Sequence, residues 1–335
     1  MSQSKFIFSS FLFMMVVFGN LIEAVEPIKE KDLKASKMEG AEFIRLDNGY
    51  RVWTKRVGEG PIKILTLHGG PGGTHEYMEC FEEFFPKDQY QIIFYDQLGS
   101  YYSDQPDDSS LWTIERFCEE IEQVRQALGL ENFYLFGQSF GGLLAMEYAL
   151  KYQHHLKGLI VSNMTGSVKS YEIYINELRS KLPRLIQDRL KVYEEVEDFL
   201  NPEYVKVMFD EIYSLHVCRL KTWPDALVRT FDHINPKIYQ FIQGPNEFVV
   251  TGNCKNWDRW NDLSKITVPT LLICGRYDTM NPHDIEKMGT LIPQSVVKIC
   301  ENGSHVAMYD DQENYFQALH AFLATVEKKS IQRSP

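Results

Sequence analysis

Three side chains far apart in the chain have the types and the order that acyl transfer requires: Ser139, Asp278 and His305. A serine hydroxyl is a weak nucleophile until a base accepts its proton and a carboxylate orients that base. Ser139 lies in Gly137-Gln138-Ser139-Phe140-Gly141, after an apolar run at 133–136 and before the helix-forming Leu143, Leu144, Ala145 and Met146. That context predicts a tight strand-to-helix turn presenting the serine at a sheet edge, with glycines where Cβ atoms would collide. Asp278 ends Gly275-Arg276-Tyr277-Asp278 after an apolar run closing at Cys274, and His305 ends Gly303-Ser304-His305 after a strand at 296–299. Both fall in loops at the carboxyl edge of strands. Asp96 and Asp310 compete for the acid's role, but Asp96 precedes the serine and Asp310 stands where the last helix starts, a position explained by capping. The remaining histidines read as surface or structural.

A developing oxyanion needs backbone N–H groups that no side chain shields. His68-Gly69-Gly70-Pro71-Gly72-Gly73, at the end of an apolar strand at 62–67, is such a loop, although taken alone it reads equally as a plain turn. No Lys-Ser/Thr follows it, so it is not a nucleotide-phosphate loop. The expected donors are the N–H of Gly70 and that of Phe140, just after the nucleophile.

The elements that hold these loops alternate strand and helix. A hairpin at 41–57, turning at Asp47-Asn48-Gly49, precedes strands at 62–67, 90–95, 133–136, 156–162, 268–274 and 296–299. Helices are expected at 76–85, at 111–128, where Leu111, Ile114, Phe117, Ile121, Val124 and Leu128 share one face, at 283–291, and at 312–326. This pattern gives an α/β class with a mostly parallel sheet flanked by helices. Residues 165–262 break the rhythm: they are helical in pattern and interrupted by Pro183, Pro202, Pro224, Pro236 and Pro245. They read as an inserted helical cap between core parts at 41–164 and 263–328, its many aromatics forming the cap's own core.

At 335 residues the chain can bury a full core, and its net charge of −11 argues against a nucleic-acid partner. Lys5, a nearly apolar run at 6–18 and Ala24 have the layout of a signal peptide over 1–24, and so predict a secreted or periplasmic protein with no other membrane contact. The six cysteines show no metal-ligand spacing; Cys274 and Cys300 read as core thiols, while Cys218 and Cys254 could bridge in an oxidising compartment.

Five motifs in order then resemble the proline iminopeptidase (prolyl aminopeptidase) family of α/β-hydrolase serine peptidases, over about residues 41–327. They are the glycine loop with Pro71 inside it, Tyr95-Asp96-Gln97-Leu98-Gly99, the stretch around Ser139, the stretch ending at Asp278, and Gly303-Ser304-His305-Val306-Ala307-Met308-Tyr309. The resemblance implies an α/β-hydrolase fold and release of an N-terminal residue, preferably proline, from short peptides or aminoacyl amides, without metal or cofactor. Gly244-Pro245-Asn246-Glu247-Phe248 resembles a segment in which some members hold the substrate's free amino group by a glutamate, which assigns that role to Glu247; the alternative is a solvated loop carboxylate. Some members carry a second glutamate directly after the catalytic aspartate, where this chain has Thr279. Either Glu211 or Glu203 substitutes for it, or the amine is held more weakly and amides or esters are also taken. An amino-acid amidase or carboxylesterase on the same triad is the alternative activity, and a catalytically silent binding protein of this fold the alternative class.

Overall fold

A computed structural model of the chain describes residues 38–333, so the expected signal segment lies outside the described residues. The hairpin forms as β1 (Ala41–Arg45) against β2 (Arg51–Val57), with Ile44 opposite Val52. β3 (Ile62–Leu67), β4 (Tyr90–Asp96), β5 (Phe133–Gln138), β6 (Leu156–Ser162), β7 (Thr270–Gly275) and β8 (Ser295–Cys300) complete an eight-stranded sheet. Its order is β1-β2-β4-β3-β5-β6-β7-β8, and β2 alone runs against its neighbours. β5 lies in the middle and is buried along its whole length, with Phe133, Tyr134, Leu135 and Phe136 at 0% exposure. A strand covered by helices on both faces must be apolar throughout rather than alternating. Burying each of these side chains stabilises the fold by roughly 1.5–3 kcal/mol.

In the core, α1 (Ile114–Ala127) is capped by the Thr113 hydroxyl, which accepts from the Arg116 N–H. α1 therefore starts three residues later than its apolar face suggests, because Ser109–Leu111 forms a separate 3₁₀ turn. α2 (Phe140–Tyr152) follows the nucleophile. The helix expected at 76–85 is instead two short turns, Glu76–Met78 and Phe81–Phe84. At the start of the first turn, where a helix leaves its N–H groups unpaired, the Tyr77 N–H donates to the Thr230 hydroxyl across the cap boundary (2.9 Å). β7 begins at Thr270 rather than at residue 268 because Pro269 has no N–H for the ladder.

Between β6 and β7 the described elements are all helical: α3 (Val168–Ser180), α4 (Arg184–Glu194), α5 (Pro202–Met208), a π-helical turn (Phe209–Tyr213), α6 (Asp225–Asp232) and α7 (Pro236–Ile242), with short turns between. Four of the five prolines that interrupt the sequence pattern are helix starts, and Pro245 lies in the loop that carries Glu247. Pro202 and Pro236 open α5 and α7 behind the N-caps Asn201 and Asn235, and Pro183 and Pro224 cap α4 and α6. α8 (Pro282–Leu291) and α9 (Gln312–Arg333) close the chain, α9 running beyond the expected end at 326.

Two of the seams that bind the helical layer to the core bear on the site. Buried Glu76 accepts from Arg229 Nε (3.1 Å) and His233 Nδ1 (2.7 Å) on and just after α6, and from Tyr102 Oη (3.0 Å). Burial opposes ionisation of Glu76, but the His233 hydrogen bond and charge prevail and hold its carboxyl at about 2. The second seam joins the histidine loop to residues 216–219: His305 N–H donates to His216 O (3.0 Å), Val306 N–H to Val217 O (3.0 Å) and the Ser304 hydroxyl to Val217 O (2.9 Å). All six cysteines are buried free thiols, so the bridge considered between Cys218 and Cys254 does not form; burial pushes both up to about 12.

Candidate active site

Ser139 caps the N-terminus of α2 with φ 54° and ψ −126°, a conformation that costs a non-glycine residue about 1–3 kcal/mol. The neighbouring glycines make it attainable: a Cβ on Gly137 would stand 2.1 Å from Gly141 O. The turn lifts the serine from the centre of the sheet to a cavity that His305 also lines, and both side chains are nearly buried. Ser139 Oγ has no hydrogen-bond partner among the described residues; bonds between nucleophile and base often tighten only when substrate binds.

His305 Nδ1 donates to Asp278 Oδ1 at 2.7 Å. Asp278 is fully buried and also accepts from Asn163 Nδ2 (2.6 Å), Met280 N–H (3.1 Å) and the Thr279 hydroxyl (3.4 Å). Its orientation is therefore fixed from several sides. The competing acids are engaged elsewhere. Asp96 accepts from the N–H and ring of His75 (2.8 and 2.9 Å). Asp310 does not cap the last helix: it takes the N–H groups of Ser304 (2.9 Å) and Arg219 (3.0 Å), pinning the histidine loop to the cap. Burial works against the His305 imidazolium, but the Asp278 charge and hydrogen bond outweigh it and hold His305 above its ordinary 6.5. The base acts only when neutral. The acid limb of kcat/KM, measured across pH 5–9, is therefore expected above pH 6.5, activity rising with pH through it.

Gly70 lines the cavity beside Ser139 with φ 115°, a region that side chains rarely enter. Phe140 opens α2, where no residue four back can take its N–H. Neither amide has a partner among the described residues, so both are available to an oxyanion. The loop carrying Gly70 is held by a buried chain: Gly69 N–H donates to Tyr77 Oη (2.8 Å), Tyr77 Oη to Gln138 Oε1 (2.8 Å), and Gln138 Nε2 to His305 O (2.9 Å). Nucleophile, oxyanion loop and histidine loop are thus tied to one another.

Glu247 lines the same cavity. Tyr239 Oη donates to its Oε1 (2.7 Å), Tyr171 Oη to its Oε2 (3.1 Å), and its N–H reaches Tyr213 Oη (3.4 Å). Burial, then the Glu247 charge, pushes the Tyr171 and Tyr239 phenols well above their usual range, so both remain donors. These cap aromatics are more than core: they orient the carboxylate. Glu211 is a different matter. It sits half-buried on the π-helical turn and does not line the cavity, whereas its neighbour Tyr213 does. Glu203 is exposed and paired with Arg189 (3.0 Å). Neither supplies a second carboxylate. Thr279 instead sets its hydroxyl 3.3 Å from His305 Nδ1 and serves the Asp–His pair.

Asn163, Tyr77, Gln138, Tyr171 and Tyr239 escaped the sequence reading. Asn163 alone left a signal, as a polar residue at the end of apolar β6, with its N–H on Ile273 O (2.8 Å) at the sheet's carboxyl edge.

Against known proteins, residues 63–312 match the family model of the alpha/beta hydrolase fold. The chain is 48% identical over 287 residues to the proline iminopeptidase of Flavobacterium johnsoniae, covering 84% of this chain and 96% of that protein. It is 40% identical over 265 residues to the proline iminopeptidase of Saccharolobus solfataricus, covering 78% and 85%. Among solved structures, VinJ superposes with a TM-score of 0.81 at 31% identity, covering 85% of this chain and 98% of that one. Proline iminopeptidase of Mycobacterium smegmatis gives 0.80 at 26% identity, covering 87% and 99%. With a buried Asp–His pair, a strained serine and two unengaged amides at the edge of the sheet, the chain belongs to the proline iminopeptidase family of α/β hydrolases.

Proposed function

We propose that the protein is a serine aminopeptidase that releases an N-terminal residue, preferably proline, from short peptides and aminoacyl amides through an acyl-enzyme. The observation that carries this reading is Glu247, a carboxylate held by tyrosine hydroxyls in the cavity of Ser139 and His305, where it can pair with a cationic amino terminus. Ser139 Oγ attacks the carbonyl carbon as His305 Nε2 takes its proton, and the oxyanion forms against the N–H groups of Gly70 and Phe140. The C–N bond then breaks, with His305 returning the proton to the departing nitrogen. Water, deprotonated by His305, hydrolyses the ester and frees Ser139. The charged-then-apolar start of the chain supports action outside the cytoplasm.

A panel of aminoacyl arylamides with and without N-blocking groups tests the reading: turnover should need the free amine and favour proline. Replacing Glu247 by glutamine should raise KM for free-amine substrates about tenfold or more, the scale of a charge-assisted hydrogen bond, and far less for N-blocked esters. Equal effects on both would remove Glu247 from the amine site.

A further inference from the structure

The cavity has two lobes, and the reaction distinguishes them. Ser139, Gly70 and Glu247 line both, whereas His305 lines only the larger, a space of about 840 Å³. The smaller, about 330 Å³, is walled by Phe140, Leu143, Met164, Val168 and Met280. His305 must deliver a proton to the departing nitrogen, so the leaving group lies in the histidine's lobe. With the amino group at Glu247, where the lobes meet, the side chain of the N-terminal residue is directed into the smaller one.

We propose that the larger lobe is a subsite for an apolar second residue whose carboxyl end is not ionised. The proposal rests on the aminopeptidase reading above. Its apolar walls include Val217, Leu227, Phe231, Ile234 and Val306, supplied by the cap around α6 and by the histidine loop, and Thr230 and Asn246 add uncharged polar groups. Among the described residues no lysine or arginine lines it, and Glu247 is its one carboxylate. A free dipeptide carboxylate would enter without a counter-ion and against that negative charge. An apolar side chain would leave water at no such cost. The site thus selects a second residue such as leucine or phenylalanine carried on an amide, and disfavours glycine and free dipeptides.

The test keeps the N-terminal proline constant and varies the leaving group: prolinamide, the amides of Pro-Gly, Pro-Ala, Pro-Leu and Pro-Phe, and free Pro-Leu. The expected result is that kcat/KM rises about tenfold or more from the glycyl to the leucyl or phenylalanyl amide, the scale of a few buried methylenes, and that Pro-Leu amide outruns Pro-Leu. Ile234→Thr, at a half-buried wall position, should lower the leucyl-to-glycyl ratio about threefold or more. A flat wild-type series, or a ratio untouched by Ile234→Thr, overturns the subsite while the aminopeptidase reading stands. Failure to cleave any proline substrate, with Ser139 still labelled by a fluorophosphonate, overturns that reading and the subsite together.

Discussion

Ser139→Ala should lower kcat for a prolyl arylamide by about 10⁴- to 10⁶-fold while the protein still folds, because the mutation deletes the atom that forms the acyl-enzyme. Deleting the hydroxyl breaks no hydrogen bond, since Ser139 Oγ has no partner among the described residues. The strained backbone at φ 54° is set by its glycine neighbours and is unaffected. The melting temperature should therefore move little, and fluorophosphonate labelling should vanish. Undiminished turnover by the variant would exclude Ser139 as the nucleophile.

Asp278→Asn should cost about 10⁴-fold in kcat. The asparagine amide could turn toward His305 Nδ1 and leave the base in the wrong tautomer. Asn163 and the Met280 N–H, which now donate to the carboxylate, would meet a weaker acceptor. A second effect arises from charge. Burial alone would lower the His305 pKa, and Asp278 is the main influence that raises it, so the acid limb of kcat/KM should shift to lower pH in the variant. An unshifted limb would mean that a different carboxylate tunes the base. Glu247 and Asp310, whose charges also raise His305, would then be the candidates, while Asp96 is bound to His75.

The candidate triad was legible because each member stands beside a local mark: a glycine where a turn must tighten, or an apolar strand that stops. The hairpin, the sheet and the cap came from the same punctuation, and four of the five prolines that look like breaks proved to be starts. The features that stayed hidden depend on partners distant in sequence. Nothing near Tyr171 or Tyr239 announces that both hydroxyls meet on Glu247, and nothing near Tyr77 announces that its N–H is taken by the Thr230 hydroxyl. Glu211 was attractive by type alone. The turn on which it sits carries Tyr213, not the carboxylate, into the cavity.

The seam between the histidine loop and residues 216–219 limits how the molecule can admit its substrate. The helical layer shares backbone hydrogen bonds with His305 and Val306, and the His216 ring also contacts Tyr277 O in the aspartate loop (2.7 Å). Lifting that layer as a hinged cover would unseat the base and loosen the acid behind it. Entry that leaves the triad intact keeps this seam closed and so favours a slender, unfolded chain end over a folded terminus. Discrimination by bulk is in that case a fixed property of the architecture, present before any ligand arrives.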